Sequence, residues 1–401
     1  MVWPVSAIRI RQLISITLSI LLGVVLACLI AELAFRIILP GSRVYRALTP
    51  KQEVTFNAQD YAKGVQGPAL FKVNSMGVRA REWSDHRASE YRILCLGGST
   101  TESLLNDQNR TWTALLEHKL EPRESGDETW VGNIGKAGLA SAHHIVQLKH
   151  LDIYDPNLIV ALVGSSDFMS FLKQSGEGSD SRNDVELERT LEEEAFAIVP
   201  DRPFFDPLGS SYKRTRIWHL ASELSQFVSH QSQFQDRDGL SLKRWRAMRA
   251  AGKRSDLLPS MDSALDAYGR NLKQMVKLAG SFGAPILLMT QPSIWRAGLS
   301  DAEKAQLWMG GVGDFREVGG SIYYAPEALE RGMDAYNQRL LEVCRETGIP
   351  CLDLAKAVPK SADYFYDDEH FTDRGQELVA TRVAEAIRLL LHNGNDRARD
   401  F

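Results

Sequence analysis

Several large function classes leave marks that this chain of 401 residues lacks. Its net charge is -4, so the basic footprint that nucleic-acid binders carry is missing. Its four cysteines make no Cys/His spacing suited to a metal. There is no Gly-x-x-x-x-Gly-Lys phosphate loop, which argues against a nucleotide site. No internal repeat is visible, which excludes a solenoid. No cofactor is implied. What remains, 44% hydrophobic and 24% charged, is a globular chain long enough for one large or two ordinary domains.

The first forty residues differ in kind. Residues 13–31 carry no charge and are dominated by Leu, Ile and Val. About 20 such residues, rising about 1.5 Å each, span a hydrocarbon core. The run exceeds the usual h-region of a cleaved signal peptide, and no small-x-small site precedes a polar start. Val25-Leu26-Ala27-Cys28 resembles a lipoprotein cleavage box, but Leu29, Ile30 and Ala31 continue the apolar run. The expectation is an uncleaved signal anchor in the plasma (inner) membrane. Arg9 and Arg11 precede the span, while Arg36, Arg43, Arg46 and Lys51 follow it. Charge alone therefore does not favour an extracytoplasmic body. Cys28 falls in the span and Cys95 in a strand. Cys344 and Cys351 flank a helix-to-strand turn, either as a pair in an oxidising compartment or as two half-buried thiols.

Residues 41–87 read as a juxtamembrane segment with turn signals such as Asn74-Ser75-Met76-Gly77 and no chemistry. Arg92-Ile93-Leu94-Cys95-Leu96 is a short buried strand. Gly97-Gly98 then turn the chain into a helix begun by Ser99 and Thr100, with Trp112, Leu115, Leu116 and Leu120 at helical spacing. Further strands are expected at 129–134, 157–163, 285–290 and 350–354. Helices are expected at 140–150, 264–278, 328–347 and 374–391, the last with Leu378, Val379, Val383, Ile387 and Leu390 on one face. Residues 168–260 read as an insertion, with a solvated loop at 175–194, a short amphipathic helix at 218–227, and a basic helix containing Trp245 at 243–254. The basic helix presents either a solvated face or a contact for anionic lipid or an acidic glycan.

Strands separated by helices imply right-handed crossovers and a covered parallel sheet. The predicted fold is one α/β domain at 88–392, three layers (α/β/α) around five parallel strands. One transmembrane helix precedes it in residues 1–40, and a tail follows at 393–401.

Each site candidate follows a strand, so all gather at one sheet edge. Ser99 offers a nucleophile unless it and Thr100 merely cap a helix. His370 follows the last strand, and Asp367, three residues earlier, can fix its tautomer. Asp368 is an alternative partner. The backbone N–H groups of Ser99 and Gly138 and the Ser166 side chain are candidate oxyanion donors. His143 and His144 either line the site or sit on a helix surface. Gly310-Gly311, Gly319-Gly320, Trp308, Tyr323 and Tyr324 form either a substrate loop or plain turns and packing.

Gly97-Gly98-Ser99-Thr100, Asn133-x-Gly135-x-x-Gly138, Gly164-x-x-Asp167 and Asp367-x-x-His370 stand in the order seen in the SGNH (GDSL-type) hydrolases, which this chain resembles over about residues 90–170 and 350–392. The resemblance implies Ser99 as nucleophile, His370 as general base and acid, Asp367 as its partner, and Gly138 as an oxyanion donor. One position departs from the family pattern: Ser166 stands where an asparagine is expected, and a hydroxyl differs from an amide in reach and direction. The implied activity is acyl-ester hydrolysis, with O-acyl (acetyl) groups on cell-envelope or extracellular polysaccharide as substrate, outside the cytoplasm. A polysaccharide O-acyltransferase using the same triad and a non-catalytic glycan-binding or assembly module are the alternatives.

Overall fold

The computed structural model describes residues 5–38, 44–83, 90–121, 128–151, 153–174, 184–200, 234–313 and 322–399, with residues 215, 217, 220, 221 and 316. The chain divides into two units: Met1–Tyr45 with Val199–Gln231, and Arg46–Ile198 with Ser232–Phe401.

The first unit contains helix α1 (Val5–Ile38). Within it Ile14–Phe35 has a mean hydropathy of 2.7 over 22 residues, with Glu32 buried and most of its apolar side chains exposed. Apolar side chains face outward all round, Leu18, Leu22 and Leu33 among them. At 22 residues and this hydropathy the segment is long and apolar enough to cross a membrane. The expected helix at 218–227 lies outside the described residues, apart from 220 and 221.

The second unit is a three-layer α/β/α domain. Its elements are β1 (Glu53–Phe56), β2 (Ala69–Lys72), β3 (Glu90–Gly97), α2 (Ser99–Glu102), α3 (Trp112–Leu120), β4 (Glu128–Asn133), α4 (Ser141–Leu148), β5 (Leu158–Leu162), α5 (Ser165–Gln174), α6 (Asp184–Ala195), α7 (Phe234–Ala251), β6 (Lys253–Ser255), α8 (Asp262–Ser281), β7 (Ile286–Met289), β8 (Ile322–Tyr324), α9 (Pro326–Thr347), β9 (Cys351–Leu352) and α10 (Asp373–Arg399). Five strands form one sheet in the order β4-β3-β5-β7-β9, all parallel. β5 and β7 are buried along their length, and β3 everywhere but at half-buried Tyr91, as strands covered on both faces must be. Helices α3 and α10 pack together, while α8 packs against both α4 and α9. The chain goes from β3 to one neighbour, β4, and then returns to the other, β5. The carboxyl ends of β3 and β5 therefore flank a switch point, where open α/β sheets bind ligands.

Several expectations change. The helix begun at Ser99 ends after one turn, and α3 is a separate helix capped by the Thr111 hydroxyl, which accepts the Ala114 N–H at 3.2 Å. Residues 168–174 continue α5, with Phe168 and Leu172 in the core. Residues 184–195, expected as solvated loop, form α6 against α4. The last helix runs past 391 to Arg399 and takes up most of the expected tail. The segment expected to be juxtamembrane, from residue 46, belongs to the domain. It pairs β1 antiparallel with β2 and puts Phe71, Val73 and Val78 into the core. β6 and β8 form a small parallel pair that the sequence did not announce. Cys344 and Cys351 are joined as a disulfide, with Cα atoms 6.2 Å apart.

The basic helix is not a solvated stripe. Arg249 is buried and donates to the carbonyls of Met309 and Tyr324. Arg246 donates to the carbonyls of Gln306, Tyr61 and Tyr366. Lys243 and Arg244 stay exposed on this helix, which ends at Ala251 rather than 254, and Lys253 and Arg254 are exposed on β6.

Candidate active site

β3 ends beside β5, with Gly97 in register with Leu162. A Cβ on Gly97 would stand 2.6 Å from the Leu162 carbonyl, so only glycine lets the chain turn there. That turn sets Ser99 at the first position of α2.

The last strand leads, across the sheet, to the turn carrying Asp367 and His370. This turn is closed by the Tyr366 N–H donating to the His370 carbonyl at 3.0 Å. Ser99 Oγ lies 2.7 Å from His370 Nε2, although 271 residues separate them. His370 Nδ1 lies 2.8 Å from Asp367 Oδ2 and 2.9 Å from Oδ1. Asp367 Oδ1 also accepts the backbone N–H groups of Glu369 and His370, at 3.1 and 2.9 Å. Oδ2 accepts the Trp308 indole N–H at 2.9 Å. Asp368 turns the other way. It accepts the Trp295 indole N–H at 2.8 Å and the backbone N–H groups of Trp308 and Met309 at 2.7 and 3.1 Å.

Ser99, Gly138, Ser166, His370, Trp245 and Trp308 are among the residues lining one cavity of about 500 Å³. Gly138 has φ +83°, a left-handed turn that favours glycine. Ser166 stands on the first turn of α5, close enough to the nucleophile turn that a Cβ on Gly98 would come within 3.0 Å of its hydroxyl. Asp167 does not join the cavity. Its carboxylate accepts the Ser141 N–H at 3.0 Å and the Ser141 hydroxyl at 2.5 Å, holding the start of α4, and burial pushes its pKa up to about 6.

The charges around His370 set its protonation. Burial alone would lower its pKa, but Asp367, Glu369 and Asp368 outweigh burial and raise it to about 9. Burial likewise opposes the Asp367 charge, yet the His370 ring and the Trp308 N–H hold its carboxyl below the usual range. Glu369, which accepts from the Ser165 hydroxyl, is pushed by burial up to about 7. Glu102, on the nucleophile turn, is raised by burial to about 7 and accepts the Ala137 N–H, one residue before Gly138.

The fold thus brings Ser99, Gly138, Ser166, Asp367 and His370 to one cavity. Neither His143 nor His144 lines it. His143 lies 2.7 Å from Glu194, and His144 is fully buried beside Gln147, not on a helix surface. Trp308 and Tyr324 are bound into the domain, whereas Gly319-Gly320 lie outside the described residues. Sequence reasoning missed Glu102, Glu369, Arg79 and the part played by Trp308. Glu102 had a signal, three residues after Ser99 on the same turn. Arg79 had none: it is buried and donates to the carbonyls of Glu102, Ser103, Asn106 and Leu70, and so ties off the end of α2.

A search of curated proteins found no match to the sequence. Solved structures similar to the chain include LAE5, an alpha/beta hydrolase from the metagenome of Lake Arreo, Spain (14% identity, 74% of this chain and 94% of that one, TM-score 0.39). Others are a mutant of an acetylxylan esterase from Geobacillus stearothermophilus (13%, 74% and 94%, TM-score 0.37) and the acetyl xylan esterase AlAXEase (13%, 74% and 99%, TM-score 0.38). Residues 95–378, more than two thirds of the chain, match the GDSL-like Lipase/Acylhydrolase family. The chain belongs to that family, and with it to the ester hydrolases.

Proposed function

We propose that Ser99 is the nucleophile of a serine esterase, with His370 as general base and then acid and Asp367 as its orienting partner. The observation that carries this reading is the 2.7 Å approach of Ser99 Oγ to His370 Nε2, inside a cavity that opens to substrate. Neutral His370 takes the Ser99 proton as Oγ attacks the ester carbonyl, while its Nδ1–H stays bound to Asp367. The N–H groups of Ser99 and Gly138 and the Ser166 hydroxyl receive the developing oxyanion. His370 then returns the proton to the leaving alcohol. Water, deprotonated by the same ring, then attacks the acyl carbon; the bond to Ser99 Oγ breaks, the acid leaves, and His370 returns the proton to Oγ.

We further propose O-acyl groups of a cell-envelope or extracellular glycan as the substrate, with the catalytic domain outside the cytoplasm. Half-buried Trp245, which lines the cavity and is backed by Trp308 with ring centroids 4.8 Å apart, offers an aromatic surface of the kind a sugar ring packs against. The apolar helix α1 supplies an anchor. The Cys344–Cys351 disulfide fits an oxidising compartment.

The test treats the full chain, in detergent micelles, with a fluorophosphonate and weighs the intact protein. One adduct, absent from Ser99→Ala, is expected. A folded wild type that takes up none refutes the triad. Acid released from an O-acetylated polysaccharide in water, without an acceptor glycan, separates hydrolysis from transfer.

A further inference from the structure

The two oxygens of Asp367 are held by different means. Oδ1 accepts the N–H groups of Glu369 and His370, which its own turn supplies. Oδ2 accepts from the indole of Trp308, 59 residues away in sequence. That indole is itself fixed on several sides. Its backbone N–H and that of Met309 both donate to Asp368 Oδ2. Arg246 Nε holds the Gln306 carbonyl at 3.0 Å, and Arg249 holds that of Met309. The Trp245 ring stacks on the Trp308 ring, at 24° between planes. Both rings line the cavity that holds Ser99.

We propose that Trp308 is a positioning residue for Asp367, and that the segment 306–309 fastens the substrate-facing wall to the triad. Without the Trp308 N–H, Oδ2 is held only by the ring it has to orient, so the carboxylate can rock about Oδ1 and swing the His370 ring away from Ser99. The Trp308 N–H closes the second oxygen and sets the plane of the carboxylate, and hence of the imidazole. The inference rests on the triad reading, and its test keeps the two apart.

Trp308→Phe keeps an aromatic ring against Trp245 and deletes the N–H donor together with part of the ring volume. With p-nitrophenyl acetate and the full chain in micelles, kcat is expected to fall about 10- to 100-fold, the weight of one hydrogen bond to a charged group. KM should stay within about twofold, and fluorophosphonate labelling of Ser99 should slow in parallel with kcat. Trp245→Phe touches the same wall without reaching Asp367, and should change KM rather than kcat. Wild-type kcat in Trp308→Phe, or a loss confined to KM, overturns the positioning role. If Trp308→Phe does not fold, Asp368→Ala removes the acceptor of the Trp308 and Met309 backbone N–H groups and should lower kcat several-fold at constant KM; unchanged kcat there overturns the proposal equally. A wild type without Ser99-dependent turnover overturns the triad and this inference with it.

Discussion

Replacing Asp367 by Asn tests the triad at its most discriminating point. The carboxylate accepts from four donors: the His370 ring, two backbone N–H groups at Oδ1, and Trp308 at Oδ2. An asparagine keeps one acceptor oxygen and makes the other position a donor. The two amides claim the oxygen, so the NH₂ group falls at the Oδ2 position, against His370 Nδ1. There it donates to Nδ1 and drives the ring proton to Nε2. Nε2 then faces Ser99 Oγ, 2.7 Å away, as a donor and can no longer take its proton. Inverting the tautomer of a Ser–His–Asp triad in this way costs about 10⁴ in kcat, or about 5 kcal/mol. The Trp308 N–H also loses its acceptor, which costs about 1–3 kcal/mol of stability. The assay is p-nitrophenyl acetate hydrolysis by the full chain in micelles near pH 9, with Ser99→Ala as background. Asp367→Asn within about tenfold of wild type, together with a 10⁴ loss in Asp368→Asn, would refute the assignment and make Asp368 the orienting acid.

The raised pKa of His370, about 9, predicts that kcat/KM climbs about tenfold per pH unit below that value and levels off above it, because only the neutral ring accepts the Ser99 proton. The same shift stabilises the fold below the unfolded pKa of about 6.5, a contribution lost as pH rises through about 9, which urea unfolding at several pH values would detect. Ser166→Ala should cost about 10²–10³ in kcat if the hydroxyl receives the oxyanion; a loss under about threefold would leave the backbone donors to act without it. Arg79→Met strands four carbonyls behind the nucleophile turn and should lower stability by about 3–4 kcal/mol, or the melting temperature by about 5 °C; a shift under about 1 °C refutes the clamp. Thiol titration of the denatured chain should find two reactive cysteines, Cys28 and Cys95, and four after reduction.

By itself, the sequence determined the elements and much of the chemistry. Apolar runs of four to eight residues between helical periods are strands that bury both faces, so the five-stranded parallel sheet was legible before any coordinate. The uncharged run at 13–31 likewise determined the apolar helix α1. Ser99, Gly138, Ser166, Asp367 and His370 each follow a strand, and strand ends in such a sheet share one edge. That left the choice between Asp367 and Asp368 to spacing, and the structure turns Asp367 toward the ring and Asp368 away. Only tertiary structure could decide what depends on partners distant in sequence. The strength of a basic stretch said nothing of Arg246 and Arg249 turning inward onto carbonyls 60 residues away. Nothing local marked Trp308 as the donor to Asp367, or Arg79 as the clamp on the nucleophile turn. A periodic pattern is written in neighbouring residues, whereas a hydrogen bond between remote segments exists only once the chain has closed its loops and excluded water from both partners.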